Sequence, residues 1–240
     1  MPAQSDNSQL STLNAQLLKQ YWGYDSFRGI QEEIINSISE NKDTLGLMPT
    51  GGGKSITFQV PALAKDGLCL VITPLIALMK DQVQNLRKRG IKALSIYSGM
   101  SRQDIITTLE NCIFGNYKFL YISPERLDTE IFRTKLRKMK VSMITVDESH
   151  CISQWGYDFR PAYLKIAEIR ELLPDVPVLA LTCLLYTSPS PRDLPENRRN
   201  TSIAAGRPRS GPDRHRHPGS SERHPGPPAF PSGERFPHEL

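Results

Sequence analysis

Six short apolar runs alternate with longer amphipathic segments along residues 1–182, and this alternation constrains the fold more than any other feature of the sequence. The runs have the length and the β-branched content of buried strands, at 44–48, 69–72, 93–97, 119–122, 142–146 and 178–181. The amphipathic segments predict helices at 11–21, 30–39, 54–64, 75–89, 101–111, 130–138 and 162–172. Strands and helices that alternate at this spacing predict an α/β fold, a mostly parallel sheet with helices on both faces. Ligands of such folds bind beyond the carboxyl ends of the strands.

A glycine-rich loop joins the first predicted strand to the next helix, in the stretch TLGLMPTGGGKSITF. Three glycines there let a phosphate chain approach the backbone N–H groups, namely Gly51, Gly52 and Gly53. In a loop of this kind Lys54 reaches the β- and γ-phosphates, and the Ser55 hydroxyl holds Mg²⁺. Met48 stands where the general motif has its first glycine, so the match is incomplete. The alternative, a glycine-rich turn with a surface lysine, is disfavoured by the position between strand and helix.

Two carboxylates, Asp147 and Glu148, end the apolar run VSMITV. At the carboxyl edge of a parallel sheet they would lie near the glycine-rich loop. Asp147 is predicted to hold Mg²⁺ on a triphosphate, and Glu148 to orient or deprotonate the attacking water. The alternative is a helix start with favourable acidic charge. Together with the loop, the pair predicts a site that hydrolyses ATP or GTP.

An aromatic-rich loop follows the acidic pair, in the stretch DESHCISQWGYDFRPAY. Three aromatic residues alternate there with charges and a glycine, namely Trp155, Tyr157 and Phe159. Such side chains stack on bases of any sequence, and Arg160 can pair with a phosphate. The alternative is a buried aromatic cluster, which the neighbouring charges disfavour.

These motifs together resemble those of the RecQ family of DNA helicases in superfamily 2, over about residues 10–182. MPTGGGKS with the following FQVPA is similar to motif I, and the stretch from DESH to RPAY is similar to motif II with the family's aromatic-rich loop. ITPLIALMKDQV, YISPERL and LALT resemble motifs Ia, Ib and III, and YWGYDSFRGIQEEII resembles the adenine-recognition motif. The resemblance implies a RecA-like domain that binds ATP and Mg²⁺ and acts on DNA.

The resemblance also implies roles for the matched residues. Tyr24 would stack on adenine, with Arg28 and Gln31 beside it, although Tyr24 taken alone could equally be a core aromatic. The nucleotide would bind along the segment from Thr50 to Ser55, and His150 would connect this site to the DNA. Single-stranded or partly duplex DNA would contact the loop that follows, through Trp155, Tyr157, Asp158, Phe159 and Arg160.

The composition changes abruptly near Cys183. Residues 183–240 contain no lysine but hold 11 of the 19 prolines and 4 of the 5 histidines. This composition predicts a disordered tail, because too little apolar surface is available to offset the entropy of ordering. The stretch CLLYTSPSPRD resembles a translated cloning adapter, so we expect the tail to be non-native; a natural linker or basic tail is the alternative. We assign no metal to His215 and His217.

Charge and cysteine content place limits on the partners and the compartment. Residues 1–182 carry 21 basic and 19 acidic side chains, so DNA binding would require a local patch rather than a basic surface. The four cysteines lack zinc-site spacing and are expected to be reduced, mostly buried thiols. No secretory leader or apolar run long enough to span a membrane is recognised, which favours a cytoplasmic protein, and the lysine-rich body favours a bacterial one.

Three functions stay open at this point. The first is a RecQ-type helicase whose intact form unwinds DNA in the 3′–5′ direction. The second is a truncated module that binds ATP, Mg²⁺ and DNA without unwinding, because the family pattern is lost at Cys183, before its second RecA-like domain with the arginine finger. The third is an RNA helicase of the DEAD-box type, which the DESH and LALT motifs disfavour.

Overall fold

The computed structural model describes residues 3–153 and 160–183. Its strands are β1 (Thr44–Met48), β2 (Leu68–Ile72), β3 (Ala93–Ile96), β4 (Phe119–Ile122), β5 (Val141–Val146) and β6 (Val178–Cys183). Its α-helices are α1 (Ala3–Trp22), α2 (Gln31–Ser39), α3 (Lys54–Ala64), α4 (Ile76–Lys88), α5 (Arg102–Phe114), α6 (Glu130–Leu136) and α7 (Lys165–Leu172).

The strands form one sheet in the order β1-β6-β5-β2-β4-β3, and every neighbouring pair is parallel. The predicted α/β fold is therefore confirmed. In the pairing register Met48 lies opposite Cys183, and Val146 lies opposite Ala180 on one side and Ile72 on the other. The loops that follow β1 and β5 thus leave the same edge of the sheet, on either side of the end of β6.

The core lies on both faces of this sheet, because β2 is buried along its whole length and its side chains alternate between the two faces. Leu70 and Ile72 pack in a cluster with residues of α5, α6 and α7. Cys69 and Val71 pack in a second cluster with residues of α2, α3 and α4. Helices α5, α6 and α7 thus cover one face, and α2, α3 and α4, with the end of α1, cover the other, as the near-continuous apolar strands predict for a parallel sheet.

Close packing at Gly46 brings α2 against the sheet near the glycine-rich loop. A Cβ added to Gly46 would lie 2.7 Å from Leu181 Cδ2 and 3.0 Å from Ile34 Cδ1. A larger residue in β1 would therefore push α2 away. Since α2 begins at Gln31, this contact sets where that side chain meets the loop.

Several element boundaries differ from the predicted ones. Helix α1 begins at Ala3 rather than residue 11, since its polar first turns carry no apolar periodicity. The predicted helix at 162–172 is a 3-10 turn at Pro161–Leu164 followed by α7. Strand β6 continues to Cys183 because it pairs with β1 to its last residue. Helix α5 begins at Arg102 rather than at residue 101, because Ser101 is its N-cap and accepts a hydrogen bond from Asp104 N at 3.1 Å.

The cysteines are placed as predicted. Cys69, Cys112 and Cys151 are buried, and Cys183 is partly exposed. Burial raises the pKa of the Cys69 and Cys112 thiols to about 12, which keeps them protonated and unreactive. No helix in the described part of the chain is both long and apolar enough to cross a membrane.

Candidate nucleotide-binding site

The glycine-rich loop turns tightly between β1 and α3. Gly52 N donates a hydrogen bond to the Pro49 carbonyl at 3.0 Å, and Gly51 and Gly53 have φ of 78° and 75°. This left-handed backbone is costly for a residue with a Cβ. At Gly53 a Cβ would also lie 2.5 Å from Gln31 Nε2. The loop therefore needs glycine at Gly53 for its backbone conformation, and a larger residue there would also displace the amide of Gln31.

Gln31 holds the loop against the start of α2. Its Nε2 donates hydrogen bonds to the carbonyls of Gly52 at 2.9 Å and Gly53 at 3.4 Å, and its Oε1 accepts one from Arg28 N at 2.9 Å. The side chain is buried, so these contacts are shielded from water. Gln31 thus connects the loop to the segment that carries Tyr24 and Arg28, and its predicted contact with adenine stays a prediction.

A cavity of about 300 Å³ opens between that segment and the loop. Its lining includes Tyr24, Arg28, Gln31 and the three loop glycines. The Tyr24 ring is 43% exposed, and the Arg28 guanidinium carbon lies 5.2 Å from its centroid. The space is in the range of small-molecule sites, and an exposed aromatic face with an amide close by is suited to a flat heterocycle.

Lys54 lies between the ends of β5 and β6. Its Nζ is 3.0 Å from Glu148 Oε1 and 2.7 Å from Cys183 Sγ. Burial lowers the pKa of Lys54, but the hydrogen bonds to Cys183 and Glu148 and the charges of Glu148 and Asp147 outweigh it, so its pKa is raised. The lysine therefore stays charged and is held beside the acidic pair. Cys183 was missed as a contact of Lys54 by sequence reasoning, since only the register of β6 on β1 brings it there.

Asp147 is a buried carboxylate with few partners. Its Oδ1 accepts a hydrogen bond from Glu148 N at 3.0 Å, and its Oδ2 lies at a long 3.5 Å from Thr73 Oγ1. Burial, and then the charge of Glu148, raises the pKa of this carboxyl, while Lys54 opposes the rise. A buried, weakly satisfied carboxylate oxygen at a phosphate loop fits a role beside a cation.

Ser55, the other predicted Mg²⁺ ligand, stands at the first turn of α3 and accepts a hydrogen bond from Gln82 Nε2 at 2.8 Å. Among the described residues no group of three or more His, Cys, Asp or Glu side chains could hold a metal ion. Mg²⁺ bound with a nucleotide takes one or two protein ligands and completes its shell with phosphate and water.

Glu148 has an unusual backbone conformation for a residue with a side chain, φ 50° and ψ 45°. Such a conformation costs on the order of 1–3 kcal/mol and persists where the surroundings enforce it. The Glu148 carbonyl accepts a hydrogen bond from Cys151 N at 2.9 Å, and Tyr163 Oη donates one to the Asp147 carbonyl at 2.9 Å. The turn holds the carboxylate against Lys54. Tyr163 ends the stretch DESHCISQWGYDFRPAY, but its contact with Asp147, sixteen residues away, was not recognised from the sequence because only the fold brings the two residues together.

His150 connects the acidic pair to β6. Its Nδ1 lies 3.0 Å from Thr182 Oγ1 and 3.4 Å from Glu148 Oε2. Arg160 N donates a hydrogen bond to the Cys151 carbonyl at 2.9 Å, so the chain returns to the same turn after the aromatic-rich loop. The other predicted DNA contacts lie outside the described residues, namely Trp155, Tyr157, Asp158 and Phe159.

Replacing Asp147 by asparagine is expected to stabilise the ligand-free protein at pH 7. The pKa of Asp147 is raised in the folded protein, so its ionisation lowers the stability of the fold. This loss of stability appears as the pH rises from about 4, the pKa of an aspartate in an unfolded chain, through the raised pKa of the folded state. Asparagine removes the charge, and a gain of about 2–4 °C in melting temperature corresponds to about 1 kcal/mol in a domain of this size. Thermal unfolding of both proteins between pH 5 and pH 8 measures it. A melting temperature for D147N below that of the wild type at pH 8 would contradict a raised pKa for Asp147.

The parallel sheet, the glycine-rich loop and the acidic pair at one edge define the RecA-like class of helicase fold. Residues 28–188 match the family model described as DEAD/DEAH box helicase, and the chain belongs to this family. It is 46% identical over 168 residues to the probable ATP-dependent DNA helicase RecS of Bacillus subtilis (strain 168), covering 70% of this chain and 34% of that protein. It is 48% identical over 168 residues to the ATP-dependent DNA helicase RecQ of the same organism, covering 69% and 28%.

These relatives confirm the RecQ resemblance that the motifs indicate, over a region that spans about a third or less of the relatives' length. Among solved structures, the chain resembles the DUF1998 helicase MrfA bound to DNA and AMPPNP with a TM-score of 0.60. That match is 17% identical and covers 71% of this chain and 26% of MrfA, so it supports the fold alone.

Proposed function

We propose that this chain is the ATP-binding part of a RecQ-type DNA helicase, whose whole form unwinds DNA in the 3′–5′ direction. The observation that carries the proposal is the Lys54–Glu148 ion pair of 3.0 Å, which joins the phosphate loop to the acidic pair across 94 residues of sequence. A lysine of a surface turn would have no reason to lie there. The named activity of RecQ and RecS relatives, at 46–48% identity, supports DNA rather than RNA as the polymer.

The residues then have the following roles in ATP hydrolysis. The backbone of Thr50 to Gly53 and the start of α3 bind the phosphates, and Lys54 leaves Glu148 to contact them. Once Lys54 has left, the Glu148 carboxylate can accept a proton from the attacking water. Tyr24, Arg28 and Gln31 bind the base in the adjoining cavity. Ser55 and Asp147 would hold Mg²⁺, which when bound offsets the charge on the phosphates.

His150 connects the proposed hydrolytic site to the proposed DNA-binding loop. His150 contacts both Glu148 and Thr182, so a movement of the loop that follows would reach the hydrolytic carboxylate through it. We propose that the aromatic-rich loop, with Arg160 at its end, binds DNA and acts on the site in this way. We further propose that residues 1–182 are the incomplete RecA-like domain and that residues 183–240 are a non-native tail, and sequencing the source gene through codon 183 tests this. The bacterial cytoplasm, with its nucleoid, is the proposed location.

The polymer preference is tested by the rate of ATP hydrolysis and by anisotropy binding with single-stranded DNA and RNA of matched sequence. We expect DNA to bind more tightly and to raise the hydrolysis rate more than RNA. Equal or greater effects of RNA would favour the alternative, an RNA helicase. ATP binding with DNA binding but no hydrolysis in either case would favour a binding module.

A further inference from the structure

A chain of side-chain hydrogen bonds joins the Ser55 hydroxyl to helix α4 and the sheet. Gln82 Nε2 donates to Ser55 Oγ at 2.8 Å, and Gln82 Oε1 accepts from Gln59 Nε2 at 2.8 Å. Tyr121 Oη donates to the same Gln82 Oε1 at 3.3 Å and accepts from Gln59 Nε2 at 3.2 Å. Four polar side chains from α3, α4 and β4 thus form one connected network.

Burial determines which atoms of this network donate hydrogen bonds and which accept them. Gln59 and Tyr121 are 5% and 1% exposed, so their polar atoms need partners inside the protein. Burial raises the pKa of Tyr121 above its ordinary value, so the phenol keeps its proton and can donate it. Since Tyr121 and Gln59 both donate to Gln82 Oε1, the amide of Gln82 is held with Nε2 toward Ser55.

In this orientation of Gln82, only one of the two lone pairs of the Ser55 hydroxyl oxygen accepts a hydrogen bond from Gln82. A serine hydroxyl has two lone pairs and one proton, and Gln82 takes one lone pair. The other lone pair stays available to a cation, and the rotation of the hydroxyl is restricted. Mg²⁺ tolerates little deviation from octahedral geometry, so a ligand already oriented costs less to bind.

We propose that Gln82 is a positioning residue for Mg²⁺, which orients the Ser55 hydroxyl and is itself oriented by Gln59 and Tyr121. This inference rests on the proposed nucleotide site and adds a residue of α4, in the ITPLIALMKDQV motif, to its machinery. Groups that hold metal ligands in place typically contribute 10–100-fold to metal affinity.

The test is a Mg²⁺ titration of the binding of a fluorescent ATP analogue to the whole chain. Q82M keeps the length of the side chain and removes both amide atoms. We expect the Mg²⁺ concentration at half-maximal binding to rise about tenfold. Nucleotide affinity in EDTA should change less than about twofold, a separation that a general packing defect would not produce.

Gln84 supplies the matched control, since it is exposed on the same helix two residues away. Q84M should leave the Mg²⁺ midpoint unchanged. Y121F removes one of the two donors to Gln82 Oε1 and should raise the midpoint in the same direction by a smaller factor. If Q82M fails to fold, the Mg²⁺ midpoint of Y121F tests the role of Gln82 instead.

Two outcomes would overturn the proposal in distinguishable ways. A folded Q82M with the wild-type midpoint, or an unfolded Q82M with an unchanged midpoint for Y121F, would refute the role of Gln82 and leave the nucleotide site standing. A wild-type chain that binds the analogue equally with and without Mg²⁺ would instead refute the proposed Mg²⁺ site itself.

Discussion

The K54A variant is expected to bind ATP with Mg²⁺ about 100-fold more weakly than the wild type. Lys54 is the proposed phosphate-binding cation of the glycine-rich loop, and in the ligand-free state it is held by Glu148 and Cys183 at 3.0 Å and 2.7 Å. A charged hydrogen bond contributes about 1.5–3 kcal/mol, and each 1.4 kcal/mol is a tenfold change in affinity. Calorimetric titration with a non-hydrolysable ATP analogue measures the loss.

Two controls separate this effect from unfolding. Lys88, exposed at the end of α4, gives the matched variant K88A, which should bind the analogue as the wild type does. Thermal unfolding should show K54A folded, because the substitution removes a pair whose side chains are each less than one-fifth exposed but breaks no core contact. Nucleotide affinity of K54A within threefold of the wild type would reject the phosphate-loop assignment.

The E148Q variant is expected to lower hydrolysis while tightening nucleotide binding. General-base catalysis contributes about 10²–10⁴-fold, so the rate of phosphate release should fall by at least about 100-fold. Binding should improve by a few-fold, because Lys54 no longer has to leave a charged carboxylate before it contacts the phosphates. Phosphate release under single-turnover conditions and titration with the same analogue give the two quantities.

The two expected effects of E148Q, slower hydrolysis and tighter nucleotide binding, distinguish a general base from other roles of Glu148. A residue with a purely structural role would weaken both binding and hydrolysis, and a residue that only binds the nucleotide would weaken binding. The strained backbone of Glu148 stays in place in E148Q, since glutamine has the same shape. Hydrolysis at the wild-type rate in E148Q would show that another group is the general base.

The sheet and much of the candidate site were predictable from the sequence. Strand β4 and helix α3 have the predicted limits, Phe119–Ile122 and Lys54–Ala64, because apolar periodicity and the glycine-rich loop mark them. The order of the strands was not predictable. Placing β6 between β1 and β5 depends on which buried faces fit together, which no local pattern encodes.

The sequence by itself determined the kinds of groups at the candidate site and the elements that carry them. The glycines, Lys54 and the acidic pair are recognisable because phosphate, metal and water chemistry need those residue types at the ends of strands. Their spacing along the chain is local, so it survives as a pattern in the sequence.

Only the tertiary structure decided which of these groups meet and what supports them. Cys183 reaches Lys54 through strand register, Tyr163 braces Asp147 across a turn, and Gln82 reaches Ser55 from a neighbouring helix. Each contact joins residues that are distant in sequence. Buried polar atoms form hydrogen bonds with whichever polar groups the packing brings next to them. Gln82 and Tyr163 stand in stretches that the sequence marks as motifs, but which atom each of them bonds follows from the packed core and is not written in the pattern.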